Sequence, residues 1–172
     1  MLHTGKVQRL DTGQVHFGFG LAPEVDAHLQ RAAAQVADSD ASLQALTAAQ
    51  RSAPDRLEVL QALYKFHFYR GDLQQALDFV FQSLVKAAVQ GGFSHDWTAL
   101  RADSADWADA RGPARSFLYS LKALAFIRLR QDDAPEAARV LDALQRLDPH
   151  DRVGAQVIRD LLEGMHDDDA DE

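Results

Sequence analysis

The chain has 172 residues, carries 18 Lys+Arg against 26 Asp+Glu for a net charge of −8, and contains no cysteine. Disulfides, thiolate metal sites and a cysteine nucleophile are therefore excluded. An acidic chain without a basic face is a poor ligand for the phosphate backbone, so no nucleic-acid partner is expected.

Residues 1–22 stand apart. Gly5, Gly13, Gly18 and Gly20 punctuate short alternations such as Val15-His16-Phe17, a glycine density that opposes helix. This stretch reads as an extended or partly disordered arm, with Phe17, Phe19 and Leu21 docking on the first helices. Its start is not a secretory signal, because no apolar run follows Lys6. No apolar stretch reaches the 18 or so residues needed to cross a bilayer. The expected compartment is the cytoplasm, with no membrane partner. The abundance of Ala, and of Arg over Lys, is typical of a GC-rich bacterial genome.

From Pro23 the apolar residues recur at three and four, as in Leu57, Leu60, Leu63, Tyr64 and in Leu118, Leu121, Leu124, Ala125. Seven helices are predicted, at about 23–37, 40–52, 56–70, 73–90, 114–131, 134–147 and 151–165. Asp55 with Glu58, Asp72 with Gln75 and Asp133 with Glu136 have capping-box spacing. Pro113 suits a first helical turn, and Asp151 is the expected cap of the last helix. Pro54 and Pro149 mark stops. The polar segment 91–112 reads as a linker with one short helix around 97–101. Residues 166–172 form an acidic tail expected to be disordered.

The pattern repeats. Gly71-Asp72-Leu73-Gln74-Gln75-Ala76 aligns with Asp132-Asp133-Ala134-Pro135-Glu136-Ala137, and Leu60, Leu63 and Tyr64 then fall on Leu121, Leu124 and Ala125. On these residues, with Val80, Leu84, Leu141 and Pro149, the chain resembles the tetratricopeptide repeat (TPR) family. The resemblance implies an all-α fold: a TPR-like right-handed stack of antiparallel helix pairs closed by a C-terminal capping helix. The units would be about 23–56, 57–90 and 118–151, with an insertion at 91–117, a capping helix at 151–165, and one helical domain over 23–165. Ser42 takes the small-residue place in the first unit.

In such a stack the first helix of each pair lines a concave groove. The repeat frame puts Glu58, Gln61, Lys65, Phe68 and Tyr69 there, and Tyr119, Lys122, Phe126, Leu129 and Arg130. Two of only four lysines thus fall beside aromatics, a setting for an acidic segment or a C-terminal carboxylate of a protein or peptide partner. The alternative is that Phe68, Tyr69 and Phe126 are core. Trp97 and Trp107, both in the insertion, either anchor a partner or pin the insertion to the helices.

Three functions remain open at this level. The first is a non-catalytic protein-binding scaffold using the groove. The second is a co-chaperone or assembly factor that holds one client through the Trp-bearing insertion. The third is an enzyme with a pocket near His67. No nucleophile motif accompanies His67 or His95-Asp96, Gly18-Phe19-Gly20 lacks the features of a phosphate loop, and His166 with Asp167–Asp169 lacks the fixed spacing of a metal site. No cofactor or metal is expected. A homodimer is compatible with the open ends of so short a stack.

Overall fold

The computed structural model describes residues 15–18 and 20–170, with side chains as far as Met165. Those residues form seven helices and no strand: α1 Pro23–Ala34, α2 Ser39–Ser52, α3 Leu57–Tyr69, α4 Leu73–Gly91, α5 Pro113–Arg130, α6 Ala134–Leu147 and α7 Gln156–Ala170. Each of α1 to α6 packs on the next helix in the chain, α3 also meets α5, and α7 meets both α5 and α6. The helices α3, α5 and α7 thus neighbour one another on one side, with α4 and α6 behind them.

Local chemistry explains most of the boundaries. Asp72 accepts a hydrogen bond from the Gln75 N–H at 3.4 Å and Asp133 one from the Glu136 N–H at 3.3 Å, satisfying donors that a first helical turn leaves without partners. Asp38, not anticipated as a cap, does the same for α2 through the Ala41 N–H at 3.1 Å. Pro113 opens α5 behind Gly112, where its missing N–H costs nothing.

The two turns that precede α4 and α6 share the same backbone hydrogen bonds at a spacing of 61 residues. Gly71 has φ of 78° and Asp132, its counterpart, 59°. The Asp72 N–H donates to the His67 carbonyl at 3.0 Å, and the Asp133 N–H to the Arg128 carbonyl at 2.9 Å. The left-handed residue closes the preceding helix and aims the chain into the next. Behind each turn a fully buried alanine, Ala76 or Ala137, lets the paired helices approach. In the first pair Ser42 fills this role, its hydroxyl donating to the Ala32 carbonyl at 3.1 Å.

Helix α3 is the spine, because it is buried on two sides. Leu57 and Tyr64 belong to the main core with α4–α7, whereas Val59 and Leu63 join a second cluster with Val25, Leu29, Ala45, Leu46 and Ala49. Phe17 and Leu21 pack on that second cluster, and the Gln30 side chain brackets Val15, accepting from its N–H at 3.0 Å and donating to its carbonyl. This part of the arm is docked as expected, while Phe19 lies outside the described residues.

Several sequence expectations are corrected. Asp55 and Glu58 form no capping box: α3 has no side-chain cap, Asp55 pairs with Lys86, and Glu58 pairs with Arg56 at 3.0 Å. Residues 97–101 make a turn, not a helix. The last helix begins at Gln156, five residues later than expected. Asp151 instead sits in the left-handed region at φ of 50°. From there its carboxylate reaches forward to the N–H groups of Ala155 at 2.6 Å and Gln156 at 3.3 Å. The helix then runs to Ala170, so most of the acidic stretch continues α7 rather than forming a disordered tail. The side chains of His166 and Asp167–Asp169, a weighed metal site, lie outside the described residues.

Candidate functional site

One large concavity opens between α3, α5 and α7. Its volume is about 420 Å³ and it is lined by Tyr64, Lys65, Phe68 and Tyr69 from α3, by Tyr119, Lys122, Ala123, Phe126, Ile127 and Arg130 from α5, and by Val157, Ile158 and Leu161 from α7. The α5 residues fall at spacings of three and four, which is one face of a single helix. Seven of the ten groove residues expected from the repeat frame on α3 and α5, Lys65, Phe68, Tyr69, Tyr119, Lys122, Phe126 and Arg130, meet in this cavity.

The cavity is aromatic in its walls and cationic in its charge. Phe68 and Phe126 face each other with ring centroids 5.0 Å apart, and the Arg130 guanidinium lies over the Phe68 ring at 5.6 Å. Tyr69 is 71% exposed and Leu161 44%, so large apolar groups stand open to water around the mouth. None of the lining residues is acidic. In a chain of net charge −8, three cations sharing an acid-free hollow form a local reversal of sign.

The lysines differ in their surroundings. Lys122 donates to the Val153 carbonyl at 2.9 Å, which ties α5 to the segment leading into α7. Loss of water lowers its pKa, opposed by the nearby Asp151. Lys65 has no carboxylate partner among the described residues and is exposed. Partial loss of water lowers its pKa, and the Lys122 charge lowers it further. Burial pushes the Tyr64 phenol above its usual range, partly opposed by the Ser120 hydroxyl. Ser120 in turn donates to the Ser116 carbonyl at 2.9 Å and shares a hydrogen bond with Ser83 at 2.8 Å. This buried chain of hydroxyls sits beneath the cavity and joins α3, α4 and α5.

Other expected site residues are placed elsewhere. Trp107 is buried: its indole N–H donates to the Arg101 carbonyl at 2.9 Å, and its ring meets Phe93 and Phe117. It is a core residue and cannot anchor a partner. Trp97 is half-buried against α6, under the Arg139 guanidinium at 5.6 Å, while Arg146 donates to the carbonyls of Leu100 at 3.0 Å and Trp97 at 3.3 Å. No insertion residue lines the cavity, so the insertion does not fold over the groove. Leu129 is core, Glu58 is engaged by Arg56, and Gln61 is not a lining residue. His67 also lies outside the lining. Its ring stacks on Phe79 at 5.5 Å and its Nδ1 lies 3.4 Å from Asp72 Oδ2.

The residues that sequence reasoning missed are Tyr64 on α3, Ala123 and Ile127 on α5, and the whole α7 wall. Val157 and Leu161 sit one turn apart, beside the buried pair Ile158 and Leu162. That makes an apolar stripe wider than burial against two neighbours requires, and its width was the available signal.

Among the described residues, no helix is long and apolar enough to cross a membrane. No family model matches the chain, and no solved structure does. Over 158 residues the chain is 31% identical to an uncharacterized 19.8 kDa protein in the nifW 5′ region of Azotobacter chroococcum mcd 1, an alignment that covers 91% of this chain and 88% of that one. The chain belongs to the same family as that Azotobacter protein.

Proposed function

We propose that the protein is a non-catalytic, TPR-like interaction module whose α3–α5–α7 hollow receives a segment of a protein partner carrying acidic groups. The carrying observation is the assembly of one acid-free, aromatic and cationic cavity from equivalent faces of two repeated helices, with Lys65 and Phe126 occupying matched positions 61 residues apart. Helix pairs of this kind stack because a single pair cannot bury its apolar face alone. Stacking leaves the first helices of the pairs side by side and their outward faces available. Aromatic rims with few competing charges are the usual composition of interface centres. A cation in such a place gains from an incoming carboxylate more than it would on an open surface. The insertion, with both tryptophans engaged internally, is scaffold in this reading.

The relative's description places its gene in the 5′ region of nifW, so the product of nifW is the first partner to test. In a titration with that protein, the double variant Lys65→Ala/Lys122→Ala should bind at least about tenfold more weakly than the unmodified chain, the effect of losing one charge-assisted contact. Equal binding by both would remove the groove from the interaction.

A further inference from the structure

The same hollow has the dimensions of a small-molecule site. Its volume of about 420 Å³ falls within the range of roughly 300–1,000 Å³ typical of ligand pockets, which are mostly apolar with a few convergent polar groups. Here the apolar part is contributed from three directions by Phe68, Phe126, Ile127, Ile158 and Leu161. The polar part is unequal. Lys122 is committed to the Val153 carbonyl, and Arg130 rests on the Phe68 ring. Lys65 has no acidic partner and no hydrogen-bonded partner among the described residues, so its ammonium is the cation of the three whose donors are left for a ligand to meet.

We propose that the cavity binds a small amphiphilic carboxylate, an alkyl or aryl acid, with its apolar body against Phe68, Phe126 and Leu161 and its charge met by Lys65. A carboxylate fits because the hollow carries cations and no acid, and its oxygens can accept a charge-assisted bond from the Lys65 ammonium. A cationic or neutral molecule of the same shape gains only the apolar contact. This inference goes beyond the partner-segment reading and does not depend on it, since a free acid needs no polypeptide behind it.

The chain supplies its own reporters. Its two isoleucines, Ile127 and Ile158, both line the cavity, so a protein labelled at the isoleucine δ1 methyls gives two NMR signals, both from this site. Titrating the full chain with octanoate should shift both signals saturably. Octylammonium, the same body with the opposite charge, should require at least about tenfold higher concentration. In Lys65→Met the two compounds should act alike. The proposal is overturned if octanoate moves neither methyl, if octylammonium matches it on the unmodified chain, or if the preference survives in Lys65→Met. The charge comparison on the unmodified chain stands without any variant. Failure of all three leaves a partner protein free to bind with the affinity measured separately.

Discussion

The two faces of the α3–α6 helices use the same residue types to opposite ends. Behind α5, the insertion brings Trp97, Trp107 and Phe93 to meet Arg139, Arg146 and Phe117, and donors there are met within the chain: Trp107 by the Arg101 carbonyl, Arg146 by two backbone carbonyls and Arg139 by Glu136. In front, between α3, α5 and α7, Phe68, Phe126 and Lys65 surround empty space. An aromatic–cation cluster is therefore not in itself a binding site. What separates the two is whether backbone carbonyls arrive to use the donors and side chains arrive to fill the volume. The insertion provides both on one side; on the other the Val153 carbonyl takes the Lys122 ammonium, and among the described residues no carbonyl or acid takes that of Lys65.

The sharpest break in that contrast is Trp107→Ala. Removing a buried indole leaves a void between Phe93 and Phe117 and an unpaired Arg101 carbonyl, with an expected loss of about 3–5 kcal/mol. Urea denaturation measures it. If Trp107 served a partner instead of the core, the unfolding midpoint would hardly move.

The repeated turns offer a finer comparison. Gly71→Ala puts a side chain into a left-handed backbone at φ of 78° and should cost about 1–2 kcal/mol. Asp132→Gly relieves the same conformation at the matching turn, and should be neutral or gain a few tenths of a kcal/mol, since aspartate tolerates this region better than most residues. Opposite signs at positions 61 residues apart, read by thermal or urea unfolding, would sharpen the equivalence of the two turns. A loss at both would show that the Asp132 side chain has a separate structural task.

Lys122 and Lys65 divide in a similar way. Lys122→Met removes the donor that holds the Val153 carbonyl, the tie between α5 and the approach to α7. Amide exchange over 156–162 should quicken several-fold, whereas Lys65→Met should leave it unchanged. The remaining anchors of α7 are Arg159, which donates to the Leu141 carbonyl at 2.9 Å and lies 3.6 Å from Asp142, and the Asp151 carboxylate at its start. Loss of one of these contacts should loosen the helix without detaching it.

Much of this architecture is legible in the sequence because the determining forces are local. The stops at proline, the caps Asp72 and Asp133 and the three-and-four spacing of leucines fix six helices closely. Repetition extends that reach: aligning the Gly71 and Asp132 turns places Lys65 and Phe126 on one face before any tertiary contact is known. Long-range competition is what sequence spacing misses. Asp55 has the spacing of a cap but is taken by Lys86, 31 residues away. Asp151 is a cap whose reach is longer than expected, because the turn at 148–155 is tightened by Asp148 accepting from the Val153 N–H at 3.0 Å. Trp97 and Trp107 lie ten residues apart in a segment without periodicity, so only the fold decides that one is core and the other a lid on α6. The α7 wall of the cavity was hidden for a related reason: the repeat frame ends where α7 begins.

The smallest expected effect is on the alkaline side of the ligand titration. The titratable groups that line the cavity with Lys65 are Tyr64 and Tyr69 on its own helix and Tyr119, Lys122 and Arg130 on α5, with Asp151 near Lys122; the α7 residues of the lining are apolar. Burial and the Lys122 charge lower the Lys65 pKa from 10.5, so in the folded protein it releases its proton at a pH where the unfolded chain still holds it. Two opposite slopes follow. Folding stability should rise with pH between the lowered value and 10.5, because the unfolded state there binds more protons. Octanoate affinity should fall over the same interval, since the acid stays charged while its partner does not, by no more than about tenfold, the worth of one charge contact. Lys65→Met should flatten the binding slope and leave the contribution of Lys122 to the stability slope. If octanoate binding were independent of pH throughout this interval, the charge it meets would belong to Arg130, which keeps its proton there.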